Sequence, residues 1–319
     1  MTKIDLITGF LGSGKTTLIK QYARYLVSQG ERVGIIENDY GAVNVDMLLM
    51  NELKNEGIGL EMVAGGCDYD CHRRRFKTKL LTMALLGYSR VIVEPSGIFD
   101  VDEFFDLLQE DSLYDRYKIA NVIAVVNANL EEHLSEEADY MLASQIADAG
   151  KVVFSFVDES SEENIRNTKE HIRHALEGIC CRRVMQEDDY FAKDHNLMQE
   201  QDWEIIRNAG YHETGYVKKY TVDDCGFDSL FFMNPEGSLD EILASIAELW
   251  KDEKAGTIMR IKGFVNDGGQ WMEINSNSSV TSVQKIETGQ SIIIVIGENL
   301  NAEAVDSYFI SEYSSIKTQ

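Results

Sequence analysis

The sequence predicts an α/β protein in which a domain with a mainly parallel sheet is followed by a smaller α+β domain. Two observations predict this fold class. Up to about residue 185, short apolar runs alternate with amphipathic helical patterns, which is typical of parallel strands covered on both faces. Later in the chain, strand patterns cluster between two helical patterns. We therefore predict a first domain at 1–185, a polar and acidic linker at 186–215, and a second domain at 216–319.

The first domain contains six apolar runs that we predict to be strands. They cover residues 4–7, 32–37, 60–63, 90–93, 120–126 and 151–156. A helical pattern over 16–29 ends at Gly30, a residue type that commonly ends helices. In parallel sheets of this kind, ligands bind beyond the carboxyl ends of the strands. Residues just after the six runs are therefore the first candidates for a functional site.

The second domain has a different pattern. We predict strands at 217–223 and 229–233, a helix at 238–250, several strands between 257 and 296, and a last helix at 301–313. Strands grouped between helices in this way favour a compact α+β unit.

Composition limits the possible function classes. With 319 residues and a hydrophobic fraction of 44%, the chain can form a core in each domain. A net charge of −24 disfavours nucleic acid as a partner, so we expect a macromolecular partner to be a protein. No apolar run reaches membrane-spanning length, the residues before the first strand show no basic n-region or cleavage site, and we expect the five cysteines not to form a disulfide framework. We expect a soluble cytoplasmic protein with no membrane partner, whose oligomeric state the sequence does not indicate.

The segment after the first run contains every fixed position of a phosphate-binding loop, or P-loop. It reads Gly9-Phe10-Leu11-Gly12-Ser13-Gly14-Lys15-Thr16-Thr17. Its glycines let backbone N–H groups turn toward phosphates, Lys15 can reach the terminal phosphates, and the Thr16 hydroxyl can bind Mg²⁺. We predict a P-loop NTPase domain whose nucleotide-binding residues are Gly12, Ser13, Gly14, Lys15, Thr16 and Thr17.

Carboxylates lie at the ends of two further strands at this edge of the sheet. The fourth run continues into Glu94-Pro95-Ser96-Gly97, where Glu94 is the second expected Mg²⁺ anchor and Gly97 offers a backbone N–H to the γ-phosphate. The second run ends in Glu37-Asn38-Asp39-Tyr40-Gly41, whose carboxylates can orient Mg²⁺ or an attacking water. The candidate catalytic residues are Lys15, Asp39, Glu94 and Gly97. An ordinary turn and a solvated acidic loop are the alternatives for the two segments.

Asp158 follows the sixth run, in Ser155-Phe156-Val157-Asp158. A carboxylate here can accept both Watson–Crick N–H groups of guanine, which adenine does not offer. The alternative is a helix N-cap formed by Asp158 or by the serines at 160 and 161. We predict that Asp158 recognises guanine and that the nucleotide is GTP.

Possible metal ligands are concentrated in Gly66-Cys67-Asp68-Tyr69-Asp70-Cys71-His72. On a helix, Cys67 and Cys71 would lie one turn apart, and thiolate and imidazole ligands favour Zn²⁺. The candidate zinc ligands are Glu37, Cys67, Asp70, Cys71 and His72, and the alternative is a pair of buried thiols. A basic run of three arginines at 73–75 with Lys77 and Lys79 follows. It forms either a solvated helix face or a cluster that docks an acidic partner, lowers the pKa of the thiols or reaches a phosphate.

Together these motifs resemble the CobW-like family of P-loop GTPases, which contains metallochaperones and cofactor-insertion proteins. Similar segments are residues 9–17, 37–41, 94–97, 122–128, 260–263 and 296–300. Two positions depart from the family pattern. Ser155 and Phe156 replace the Asn and Lys of its guanine-binding Asn-Lys-x-Asp, and only Cys67 aligns with its Gly-Cys-x-Cys-Cys.

The resemblance implies a GTPase that uses magnesium and binds zinc or another divalent transition metal. It also implies a client metalloenzyme or corrinoid protein as partner. Two alternatives stay open: a non-catalytic, nucleotide-responsive activator of such an enzyme, and a P-loop kinase or ligase acting on a small molecule.

Overall fold

The computed structural model describes residues 1–10, 12–39, 52–64, 69–95, 101–130, 134–214, 227–276, 280–286 and 291–309. The chain divides into two compact units, Met1–Cys225 and Gly226–Gln319. In the described part of the chain, no helix is long and apolar enough to cross a membrane.

The first unit is built on a parallel sheet. Its described strands are β1 (Thr2–Thr8), β2 (Val33–Asp39), β3 (Gly59–Ala64), β4 (Arg90–Pro95), β5 (Tyr117–Asn127), β6 (Lys151–Ser155) and β7 (Tyr190–Ala192). Its helices are α1 (Lys15–Ser28), α2 (Tyr69–Leu85), α3 (Val101–Leu108), α4 (Asp111–Tyr114), α5 (Glu136–Ala147), α6 (Glu162–Gly178) and α7 (Glu200–Arg207). The described strands form one sheet in the order β3-β2-β4-β1-β5-β6-β7, and all pairs are parallel. The predicted parallel α/β fold is confirmed.

The central strands are apolar because helices cover both faces of the sheet. Ile7, Ile92 and Val125 from three strands pack with Leu18 and Leu26 of α1 in one buried cluster. This packing fixes α1 against the sheet directly after the P-loop. The first turn of α1 is thus held at the carboxyl edge of the strands.

Residues 186–214 differ from the predicted linker. β7 pairs with β6 as the seventh strand, and Trp203 and Ile206 of α7 belong to the same core cluster as α1. The Trp203 ring stacks on Tyr22 and Tyr25 of α1, with centroids 6.2 and 6.1 Å apart. A strand of three residues and a helix of eight give too short a periodic signal to stand out in a polar stretch.

A second group of residues, the Asp5 cluster, buries charge beneath α1. Arg90 Nη1 donates to both carboxylate oxygens of Asp5, at 2.8 and 2.6 Å, and Arg90 Nε donates to Glu31 at 2.9 Å. The Tyr22 hydroxyl and the Asn121 amide also donate to Asp5, at 2.9 and 2.8 Å. Burial alone would lower the pKa of Arg90, but the attraction of Asp5 and Tyr22 and the hydrogen bonds to Asp5 and Glu31 together outweigh it and raise that pKa. Arg90 therefore remains charged.

The second unit is an antiparallel sheet with two described helices. Its elements are β8 (Phe227–Met233), α8 (Leu239–Leu249), β9 (Thr257–Asp267), β10 (Gln270–Ser276), β11 (Thr281–Ile286), β12 (Ile292–Glu298) and α9 (Ala302–Asp306). The strand order is β11-β10-β9-β12-β8. The predicted α+β arrangement is confirmed, although the last helix is shorter than predicted. The predicted strand at 217–223 and residues 310–313 lie outside the described residues.

Candidate nucleotide and metal site

The P-loop is wedged between the ends of two strands. Gly9 has a φ of 147°, and a Cβ added there would lie 2.2 Å from the Val125 carbonyl oxygen. Gly14 has a φ of 87°, and a Cβ there would meet the Ser155 side chain at 3.3 Å. Both positions therefore favour glycine for conformation and for space. Leu11 lies outside the described residues.

Lys15 lies over the loop rather than in solvent. It is 7% exposed, and its Nζ donates to the carbonyl oxygens of Gly9 at 2.8 Å and Phe10 at 3.2 Å. The buried hydroxyls of Thr8 and Ser13 have no hydrogen-bond partner among the described residues. Unsatisfied donors beside a buried ammonium group fit an anion, because phosphate oxygens would complete their hydrogen bonds. The loop is thus suited to a phosphate chain.

Thr16 and Glu94 meet although 78 residues separate them. The Thr16 hydroxyl donates to Glu94 Oε1 at 2.9 Å. Thr16 is in the first turn of α1, and Glu94, which is 4% exposed, is near the end of β4. The structure brings together the two residues for which the sequence predicted a magnesium role.

Glu37 is the neighbour of Glu94 in the sheet. The parallel register of β2 and β4 pairs Glu37 with Glu94, and Glu37 is 2% exposed. Paired residues of adjacent strands project from the same face, so the Glu37 carboxylate lies on the same face of the sheet as Glu94, which accepts from the Thr16 hydroxyl. Hard oxygen donors of this kind fit Mg²⁺. Asp39 ends β2, but its side chain, like residue Gly97, lies outside the described parts of the structure.

Cys71 and His72 lie in the first turn of α2. His72 is 2% exposed, and the Cys71 thiol is partly buried. Near the other end of α2, Met83 packs on β2, since a Cβ at Gly34 would lie 3.0 Å from its sulfur. His72 precedes Met83 by 11 residues (83 − 72), which is roughly 16 Å along the helix axis. About five residues of a strand cover the same length. His72 is therefore near the end of β2 that carries Glu37.

The zinc set as a whole is not tested by this geometry. Cys67 lies outside the described residues, as does the side chain of Asp70. Within the described residues, no three His, Cys, Asp or Glu side chains lie close enough together to hold a metal ion. Zinc binding by Glu37, Cys67, Asp70, Cys71 and His72 stays a prediction.

Much of the basic run on α2 is paired with carboxylates. Arg73 bonds to Glu110 at 2.9 Å, Lys77 bonds to the same carboxylate, and Lys79 bonds to Glu61 at 2.7 Å. The hydrogen bonds from Lys77 and then Arg73 lower the pKa of Glu110. These contacts favour the interpretation of a solvated helix face over that of a docking site.

Asp158 lies in a short 3₁₀ helix, Val157–Glu159, just after β6, and it is exposed. The N-cap of α6 is Ser161, whose side chain accepts from the Asn164 N–H. Ser161, rather than Asp158, therefore caps α6. Phe156 adopts a left-handed conformation with a φ of 53°, and Ser155 adjoins Gly14 of the P-loop. Asp158 thus follows a strand end that touches the P-loop.

The sequence analysis missed the loop after β7. His195 begins a 3₁₀ helix there and is partly buried. Burial lowers the pKa of His195, and the Phe154 backbone and the nearby carboxylates of Asp194 and Asp158 only partly oppose this effect. The apolar triplet before this loop was the available signal, but it lay within the predicted linker.

Comparison with known proteins identifies relatives. The model of the CobW/HypB/UreG nucleotide-binding domain matches residues 3–188. The zinc chaperone YjiA of Escherichia coli is 26% identical over an alignment of 172 residues, and the match covers 50% of this chain and 50% of YjiA. The zinc chaperone YeiR of the same organism is 27% identical over 165 residues, 51% of this chain and 49% of YeiR. The chain thus spans about half the length of the relatives it matches.

Among solved structures, the zinc-bound YjiA GTPase of E. coli is 18% identical and aligns over 96% of this chain and 97% of that one. The TM-score of this match is 0.39.

Proposed function

We propose that this chain, which belongs to the CobW/HypB/UreG family, hydrolyses GTP and couples that reaction to the delivery of zinc or another divalent transition metal to a client metalloenzyme or corrinoid protein. The observation that carries the proposal is the hydrogen bond between Thr16 and Glu94, with Glu37 in register beside it. This arrangement supports a site in which the nucleotide and the metal share one edge of the sheet.

Each residue of the nucleotide site has a definite task. On binding, Lys15 exchanges the carbonyls of Gly9 and Phe10 for oxygens of the β- and γ-phosphates. Thr16 and Glu94 would hold the magnesium ion, which neutralises phosphate charge when bound. Glu37 or Asp39 would orient the attacking water. We expect hydrolysis to be slow without a partner or cargo metal, because none of these residues alone supplies a strong base.

The metal part of the proposal depends on position in the chain. Cys67, Cys71 and His72 lie in sequence between the segments that end at Asp39 and begin at Glu94. Glu37 is buried beside Glu94, so its carboxylate can respond to the magnesium and γ-phosphate state and also serve as a zinc ligand. A change at the nucleotide would then alter zinc affinity. The zinc chaperone names of YjiA and YeiR support a metal cargo.

A first experiment tests the nucleotide half. Multiple-turnover phosphate release from GTP with Mg²⁺ is compared for the wild type, Lys15→Ala and the control Lys20→Ala, which removes a lysine of α1 paired with Glu52 instead. We expect Lys15→Ala to lose ~10²-fold or more of the rate, with an unchanged circular dichroism spectrum, and Lys20→Ala to behave as the wild type. Wild-type turnover by Lys15→Ala would overturn the site. Phosphate transfer to a small-molecule acceptor would favour a kinase, and binding without turnover a non-catalytic activator.

A second experiment tests the metal half. The reduced protein is titrated with Zn²⁺ against a chelator, once with GDP and once with a non-hydrolysable GTP analogue. We expect stoichiometric binding that differs between the two nucleotides, weakens as pH falls, and is lost in Cys67→Ala/Cys71→Ala. The control is Cys180→Ala/Cys181→Ala, a pair of free thiols after α6. Binding that survives loss of Cys67 and Cys71 would overturn the zinc site.

A further inference from the structure

We propose that β11, the exposed edge strand of the second unit, binds an extended acidic segment of a partner protein as an added strand. A carboxylate of that segment pairs with Lys285, and an apolar residue covers Val283. The inference goes beyond the proposed function, because it concerns the second unit and holds whether or not the chain hydrolyses GTP.

The first step is the exposure of this edge. β11 is the last strand of its sheet, and no described strand other than β10 pairs with it. Residues 281–285 of β11 are all exposed. β8, at the other end of the sheet, differs, since Leu230, Phe231 and Phe232 are 0%, 4% and 0% exposed. An edge strand carries a row of unpaired N–H and C=O groups on its outer side. β11 therefore presents such a row to solvent.

The second step is the regularity of the strand. Natural edge strands are protected from pairing by prolines, bulges, short length or charges. β11 has six residues and no proline, and its register with β10 continues without a bulge from Ile286 to Thr281. By comparison β7, which ends the sheet of the first unit, has three residues. Only the charge of Lys285 protects β11 from pairing.

The third step concerns the face of β11 that lies on the helix side of the sheet. Val283 pairs with Ile274, which is buried in one cluster with residues of α8. Val283 itself is 37% exposed, so it continues this apolar face to the open edge. Lys285 projects from the same face two residues later and has no ion pair within the described residues. This face thus offers an apolar contact and an unpaired cation side by side.

The opposite face of the edge is already satisfied. Gln284 of β11 donates to the carboxylate of Glu273, and Asn275 donates to the same carboxylate at 2.6 Å. Glu273 is 0% exposed. Because these bonds are complete within the sheet, we assign specificity for an added strand to Val283 and Lys285.

The fourth step is the identity of the occupant. In strand addition, main-chain hydrogen bonds supply affinity and alternate side chains supply specificity. A second copy of β11 brings no carboxylate to Lys285, since residues 281–286 contain no Asp or Glu, and it adds a second lysine to the edge. The chain has a net charge of −24, so an acidic segment is repelled by most of its surface and attracted to this edge. The occupant is therefore a partner segment with an apolar residue and a carboxylate two positions apart.

The test uses the capped peptide Thr-Glu-Thr-Val-Thr-Val-Thr, titrated into the isotope-labelled full chain and followed by NMR amide shifts. In antiparallel pairing, its glutamate can lie opposite Lys285 while its first valine lies opposite Val283. We expect shifts centred on β11. Lys285→Glu should weaken binding by about 3- to 10-fold, and replacing the glutamate of the peptide by lysine should restore binding to this variant. The control Lys254→Glu makes the same charge change at an exposed lysine outside the strands and should match wild type.

Methylated peptides test the strand pairing itself. Methylation of every second amide removes the donors on one side of an added strand. Of the two possible methylated peptides, the one with its methyl groups toward β11 should not bind. Binding of both as tightly as the parent peptide would overturn strand addition.

Other outcomes would overturn the proposal as a whole. These are no binding of the parent peptide, shifts centred outside β11, and an unchanged affinity in Lys285→Glu. A chain that dimerises through β11 without peptide, detected by light scattering and by the same amide shifts, would make a second copy the occupant. Phosphate release from GTP is measured separately, so none of these results bears on the proposed function.

Discussion

The Asp5 cluster and the edge of the sheet at Glu94 both bury carboxylates in the first unit, but the neighbours of those carboxylates differ. Asp5 adjoins the guanidinium of Arg90 and two neutral donors. Glu94 adjoins another carboxylate, Glu37, and a hydroxyl. Strand β4 supplies a residue to each group, Arg90 near its start and Glu94 near its end.

The difference shows how buried charge can serve either stability or function. In the Asp5 cluster the protein itself supplies the opposite charge, so the carboxylate is satisfied at all times. At the Glu94 edge the register of β2 and β4 pairs two buried carboxylates beside the Thr16 hydroxyl, and oxygen donors of this kind suit an external cation such as Mg²⁺. Strand β4 thus carries a cation of the structural Asp5 cluster near its start, and near its end a carboxylate of the proposed metal and nucleotide site.

The largest effect expected from this comparison concerns Arg90. Arg90→Met should lower the free energy of unfolding by about 3–5 kcal/mol, because Asp5 would remain buried without its cation. Urea denaturation measures the loss, and Arg74→Met, at an exposed arginine of α2, should change stability by less than about 0.5 kcal/mol. A loss from Arg90→Met no larger than that of the control would show that the Asp5 cluster is not a structural network.

A smaller loss is expected within the same cluster at Tyr22. Tyr22→Phe removes one neutral hydrogen bond to Asp5 and should cost about 1–2 kcal/mol by the same measurement. The matched control is Tyr25→Phe, whose hydroxyl bonds to the exposed Glu204. We expect the control to cost less, since water can replace that bond. An equal or larger cost at Tyr25 would contradict the special weight given to buried Asp5.

Much of the fold followed from local patterns. The runs that became β1, β2, β4, β5 and β6 were visible because strands buried on both faces are almost wholly apolar. β7 was missed because three residues at the end of a sheet carry little pattern. α7 was missed because two buried residues, Trp203 and Ile206, give too weak a helical pattern within a polar stretch. Tertiary packing, rather than periodicity, defines both elements.

The sequence also predicted only part of the site. Thr16 and Glu94 could be paired from sequence because the chemistry of the P-loop requires a second magnesium anchor at a neighbouring strand end. The Asp5 cluster could not be predicted, since the sequence gives the charges but not which of them meet.

The smallest effect is expected at Glu37. In EDTA and without nucleotide, Glu37→Gln should change the free energy of unfolding by less than about 1 kcal/mol, because the amide keeps the size of the carboxylate and leaves the hydrogen bond between Thr16 and Glu94 in place. Mg²⁺ with a non-hydrolysable GTP analogue should then stabilise the wild type more than the variant, since ligand binding adds to stability in proportion to affinity. The control is Glu61→Gln on β3, which breaks the ion pair with Lys79 and should lower stability slightly under both conditions. Urea denaturation in the two buffers decides the matter. A loss above about 1 kcal/mol for Glu37→Gln in EDTA would mean that Glu37 is held as firmly as Asp5, and the two regions would then differ in position but not in kind.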